Sequence, residues 1–131
     1  MTDTAGVQTL AATIAADERC AAIYVDASGT IRTWNREAET IFGYRADQAI
    51  GCRADLIVPE SERGAHWEGF ERAIKSNWPG ACAWGAIEPL HSSGRQLALE
   101  VFLLGLQPSQ TGSLGGVLAL FRTASPYGPS C

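Results

Sequence analysis

Apolar positions along the chain change period several times, and each change marks an element. In residues 7–16, VQTLAATIAA, Val7, Leu10, Ala11 and Ile14 fall on one helical face and predict an alanine-rich helix ahead of the main body. Residues 22–25 form a short apolar run, residues 26–29 (DASG) supply turn chemistry and residues 31–34 return, which predicts a β-hairpin. Asn35 is placed to cap the next helix, where Ala38, Ile41 and Phe42 form the buried stripe and Gly43 stops it. A second short helix ends at Gly51, and a further turn is halted by Pro59. Residues 61–76 read as a longer helix with Ser61 as its cap. There His66, Phe70, Ala73 and Ile74 share the face turned to the core. Strands are then expected over 81–91, 96–107 and 117–123, with a flexible tail over 125–131.

The order is two strands, several short helices and three strands. It predicts an α+β fold, an antiparallel sheet with helices over one face. Residues 1–16 are read as a flanking helix, 17–124 as the domain and 125–131 as the tail. At 131 residues, 46% hydrophobic and 18% charged, the chain fills one core, and that balance excludes low-complexity and disordered classes. A net charge of −4 without long like-charge runs argues against a nucleic-acid partner. No apolar run is long enough to span a bilayer, about 20 residues. The N-terminus lacks a basic secretory region, and Cys20, Cys52, Cys82 and Cys131 form no CxxC pair, so free thiols and a cytoplasmic location are expected.

The motif D-x-x-G-x-I-x-x-W-N-x-x-A-x-x-x-F-G-Y, residues 26–44, resembles the opening of a PAS domain. Ser93-Gly94 with Glu100, and Gly116-Val117 with Phe121-Arg122, fit the last strands of that family. The resemblance covers about residues 17–124 and implies the PAS fold: a five-stranded antiparallel sheet covered on one face by short helices, in a sensory and dimerising module.

Within that frame Pro59, Glu60, Arg63 and His66 match P-E-x-x-R-x-x-H. This segment is similar to the one carrying the proximal haem histidine in FixL-type oxygen sensors. Arg72, six residues on, stands where those sensors pair a haem propionate. The resemblance therefore implies haem b with His66 as iron ligand and Arg72 at a propionate. Phe70 and Ile74 would pack on one porphyrin face, with Val101 and Leu103 walling the other. Trp67 is read as a haem neighbour or as core. A neutral imidazole on the inner face of a helix suits such a bond independently of the family. The bland alternative is a core histidine bonded to a carbonyl.

One departure concerns the distal side. Gly85 stands where those sensors carry an arginine that binds oxygen, so an apolar distal side suited to CO or NO is expected, or a protein ligand such as Cys82. The sequence GCRADL around Cys52 lacks the asparagine and Phe-Leu of the flavin-bonding motif, which argues against flavin. Trp34 and Asn35 are read as structural and His91 as exposed; Trp78 and Trp84 are left unassigned, a partner surface being one option for tryptophans on a sheet. No nucleophile, carboxylate pair or phosphate loop is legible, so no enzyme is expected. The signal would pass through a homodimer, formed by the N-terminal helix and the sheet face, to a downstream protein or a fused output domain. The alternative is a cofactor-free module for dimerisation, protein interaction or small organic ligand binding.

Overall fold

The apolar run opening the hairpin becomes β1 (Ala21–Asp26), buried along both of its faces. The computed structural model describes residues 20–75, 84–106 and 115–123. The expected helix over 7–16 and the tail over 125–131 lie outside these residues, as do Trp78 and Cys82. A tight turn joins β1 to β2 (Ile31–Trp34). Asp26 organises it: Oδ1 accepts from the Ser28 amide at 3.0 Å, the Ser28 hydroxyl at 2.6 Å and the Thr30 amide at 3.1 Å, while Oδ2 accepts from Arg32 Nε at 2.7 Å. Gly29, at φ +90°, supplies the left-handed residue such a turn requires.

Asn35 then starts α1 (Arg36–Phe42) and also ties it to β1. Its Oδ1 accepts from the Ala38 amide at 3.0 Å and from the Ala22 amide at 2.9 Å, and its Nδ2 donates to the Cys20 carbonyl at 2.9 Å. Gly43 ends the helix at φ +82°, where its amide bonds to Glu39. A one-turn helix α2 (Ala46–Ala49) and two 3-10 turns (Ala54–Ile57 and Glu60–Glu62) lead into α3 (Arg63–Lys75). Ser61 falls inside the second 3-10 turn instead of capping α3. Pro59 starts that turn and delays the α-helix to Arg63.

Strands β3 (Gly85–Ile87), β4 (Leu99–Leu106) and β5 (Gly116–Thr123) complete a five-stranded sheet in the order β2-β1-β5-β4-β3, antiparallel throughout. β3 and β4 are shorter than the runs that predict them. Pro89 cannot donate to a ladder, and residues 89–97 fold into a turn that bonds instead to the first 3-10 helix through the Leu90 amide and the Ile57 carbonyl. His91, expected to be exposed, is half-buried there beside Gly43, with the Ser93 amide donating to its Nδ1 at 3.0 Å.

The helices occupy one face. Ala38 and Phe42 of α1 pack on Ile23, Ile31 and Phe121, with the Phe42 and Phe121 rings edge to face at 5.1 Å. Trp34 closes this core and donates its indole N–H to the Tyr44 carbonyl at 3.0 Å, the structural role its position suggests. The opposite face carries a second apolar cluster of Ala22, Tyr24, Leu106 and Leu118, flanked by Leu104 and Leu120. At its margin Arg122, only 7% exposed, donates to Glu100 at 2.8 Å and stacks on the Trp84 ring at 3.7 Å. Gly116 is obligatory on this face, because a Cβ there would collide with the Val25 carbonyl and the Tyr24 ring.

The Asn35 side chain joins α1 to β1 through three hydrogen bonds. Asn35→Ala removes the cap and strands the Ala22 amide, and is expected to cost about 2–3 kcal/mol in urea denaturation. Asn35→Asp keeps both acceptor bonds and should cost about half as much.

Candidate functional site

Helix α3 is amphipathic by sequence, yet none of its described residues is buried. Its first turn is tied down by Arg63 Nε donating to the Val58 carbonyl at 3.0 Å and by the Trp67 indole donating to Asp55 Oδ2 at 3.0 Å. Beyond these tethers the helix stands off the sheet. The space between them is a cavity of about 1260 Å³. The sheet contributes only apolar side chains to its wall, among them Ile23, Val25, Val101, Leu103, Ala119 and Phe121. The helix contributes Ala65, His66, Gly69, Phe70, Arg72 and Ala73, and Glu62, Glu68, Glu71, Lys75 and Glu88 join the lining.

Five of the sequence-derived site residues therefore converge: His66, Phe70, Arg72, Val101 and Leu103 all line the cavity. Trp67 and Ile74 do not. One position along a helix rotates a side chain by about 100°, which carries Trp67 away from the face of His66. The Trp67 ring lies instead on Gly29, where a Cβ would stand 2.7 Å from it, and beneath the Arg53 guanidinium at 4.2 Å. Gly85 pairs with Val101 and so shares its inner side of the sheet; it is exposed, and a Cβ there would meet nothing within 4 Å.

Among the described residues, His66 carries the one buried side-chain nitrogen or oxygen without a hydrogen-bond partner. Its Nδ1 is shut off from solvent and has no hydrogen-bond partner. Burial pushes its pKa below the ordinary 6.5, only partly countered by the Asp55 carboxylate, so the ring is held neutral. A neutral imidazole with no competing hydrogen bond, set in an apolar cavity, can accept a bond from a ligand or coordinate a metal through its remaining nitrogen. No group of three His, Cys, Asp or Glu side chains able to hold a bare metal ion occurs among the described residues. The free-thiol expectation needs correction at one position: Cys20 is disulfide-bonded, whereas Cys52 is free and half-buried. No helix among the described residues is long and apolar enough to cross a membrane.

The sequence signal that missed the Gly29–Arg53–Trp67–Asp55 cluster was present but scattered. Its members come from the β1–β2 turn, the first 3-10 turn with its cap, and helix α3, and no single periodicity links them.

A family model described as the PAS fold matches residues 19–125. Among solved structures, the PAS domain of a protein from Colwellia psychrerythraea superposes with a TM-score of 0.71 at 22% identity, covering 90% of this chain and 96% of that one. The PAS domain of BvgS from Bordetella pertussis gives 0.72 at 13% identity, with 92% and 88% covered. A variant of RsLOV gives 0.73 at 14% identity, with 95% and 70% covered. No curated protein sequence matches the chain.

Two titrations separate by pH. The folded protein binds the His66 proton less readily than the unfolded chain, so its stability is full above about pH 6.5 and falls as the pH drops below that value. His66→Leu should remove this limb in urea titrations between about pH 7 and 5. At Asp26 burial alone would raise the pKa, but the bonds from Ser28, Arg32 and Thr30 outweigh it and hold the carboxylate below its ordinary 3.8. That stability is present above about pH 3.9 and is lost at lower pH, and Asp26→Asn should abolish it while leaving the His66 limb intact.

Proposed function

The chain belongs to the PAS family of sensory domains, and from that premise we propose that it senses through the cavity under α3, with haem b held there by His66. The observation that carries this reading is the His66 ring: its Nδ1 is buried and unpartnered, its pKa is lowered by burial, and it lines a cavity whose sheet wall is entirely apolar. The residues present fit the group. Phe70 on the helix and Val101 and Leu103 on the sheet offer apolar walls, and Arg72 and Lys75 are the two cations of the lining, able to pair carboxylates at the mouth. Ile74 and Trp67 lie outside the lining and take no part in contacting the group.

Haem held there by His66 would supply an iron able to bind a diatomic gas or to change redox state. The chain's own residues set what it reads. The sheet wall contributes no hydrogen-bond donor, and Gly85 brings no side chain to the inner face. Such a wall favours CO, NO or a redox signal over a ligand that needs a donated hydrogen bond. Glu62, Glu68, Glu71 and Glu88 temper the two cations of the lining, so Arg72 acts as a weak, solvent-screened anchor. The domain acts by shifting populations between conformations, without a catalytic step of its own. Cys82 as a further ligand lies outside the described residues.

A second reading draws on the apolar outer face. Leu104, Leu120 and Trp84, half-buried beside the buried Tyr24, Leu106 and Leu118, are the outer-face positions left open to a second copy or a signalling partner. In this reading the domain, residues 17–124, is a dimerisation module with the cavity empty or holding a small organic molecule. The N-terminal segment 1–16 would add to the interface.

Titration with hemin tests the first reading. A Soret band should develop with the wild-type protein and fail to develop with His66→Ala, whereas Arg72→Ala should weaken binding only about two- to fivefold. A folded wild-type protein that takes up no hemin overturns it. The second reading is tested separately by light scattering: Leu120→Glu on the outer face should convert a dimer to a monomer without changing hemin uptake.

A further inference from the structure

Imidazole side chains that bind ligands or metals are ordinarily oriented by a hydrogen bond at the nitrogen turned away from the bound group. His66 has no such bond, since its Nδ1 is buried and unpartnered. Something else must fix the ring, because an untethered χ2 torsion is broad and would blur any geometry at the other nitrogen. Two aromatic neighbours are in reach. Phe70 lies roughly parallel to the imidazole but at 6.4 Å, a loose contact, whereas Trp67 meets it edge to face at 4.7 Å and 69°.

Trp67 is itself immobilised from three directions. Its Nε1–H donates to Asp55 Oδ2 at 3.0 Å. The Arg53 guanidinium covers one face at 4.2 Å, and Arg53 is in turn anchored by donation to the Ser28 carbonyl at 3.1 Å. The benzenoid edge rests on Gly29, and the residue there can only be glycine, since a Cβ would lie 2.7 Å from Cζ3 and 2.8 Å from Cη2. The indole therefore has no direction in which to yield. We infer that Trp67 is the positioning residue of the cavity: it orients the His66 ring by aromatic contact in place of the missing hydrogen bond, and the Asp55–Arg53–Gly29 cradle holds Trp67 to that task. The inference rests on His66 being the group that meets the cavity's ligand. Trp67 acts through that ring and never touches the ligand itself.

The arrangement has a second face. The cradle belongs to the β1–β2 turn and the first 3-10 helix, so the same indole that orients His66 is wedged against the hairpin turn.

The test uses the full chain with Trp67→Phe, Trp67→Leu and Asp55→Ala. Aromatic carbon relaxation of the His66 ring, measured by NMR on hemin-free protein, reads ring order directly, and hemin titration reads its consequence. The ring should be ordered in the wild type and in Trp67→Phe, which keeps an aromatic edge, and should be disordered in Trp67→Leu. Asp55→Ala, which leaves the indole but cuts its tether, should fall between them. Hemin affinity should follow the same order, within about threefold of wild type for Trp67→Phe and at least tenfold weaker for Trp67→Leu, with a shifted Soret band. A His66 ring as ordered in Trp67→Leu or Asp55→Ala as in the wild type overturns the positioning role. Absence of hemin uptake by every protein would strike the haem reading alone, because the relaxation result stands without haem. Should Trp67→Leu fail to fold, Asp55→Ala still decides the question.

Discussion

Six consecutive residue pairs between β1 and β5 hold the middle of the sheet, and everything else hangs on their register. Ile23 opposite Ala119 and Val25 opposite Val117 face the helices, while Tyr24 opposite Leu118 faces the other way. A slip of one residue would exchange these sets and present Tyr24 and Leu118 to the cavity. The pairing joins the beginning of the domain to its end, so it forms only after most of the chain has been brought together. Two local devices guard the register from either side: the Asn35 side chain clamps Ala22, and Gly116 admits the Tyr24 ring so closely that no other residue fits.

Most of the fold was legible because its signals are local. The DASG turn, the Asn35 cap and the Gly43 stop each announce themselves within a few residues, and the structure places them as read. Errors arose where a local preference met a tertiary demand. Ser61 is a good cap by type, but Pro59 starts a 3-10 turn that passes through it. The run over 81–91 reads as one strand, but its second half is drawn away from the ladder by Pro89 and the Ile57 carbonyl.

The cavity was half legible for a similar reason. Helical spacing places His66, Phe70 and Ala73 on one side, and strand alternation places Val101 and Leu103 on one side, so their convergence follows from the fold. What the spacing does not reveal is the separation of the two surfaces. An apolar helix face and an apolar sheet face ordinarily close on each other. Here the tethers at Arg63 and Trp67 set the first turn of α3, and the remainder stands away from the sheet. The apolar surface that would have been core becomes lining, which leaves its hydrophobic stabilisation unrealised until something fills the space.

Strand β5 carries this further. Val117, Ala119 and Phe121 look into the cavity, and Leu118, Leu120 and Arg122 look out on the opposite face, in strict alternation. A single backbone thickness separates the cavity from the apolar cluster on the outer face. No intervening layer can absorb a misfit, so the two surfaces share one set of torsions and cannot be tuned independently. Enlarging Ala119 on the cavity side would tilt its neighbours Leu118 and Leu120 in the same step. Packing on the two faces of this sheet is therefore inherited together.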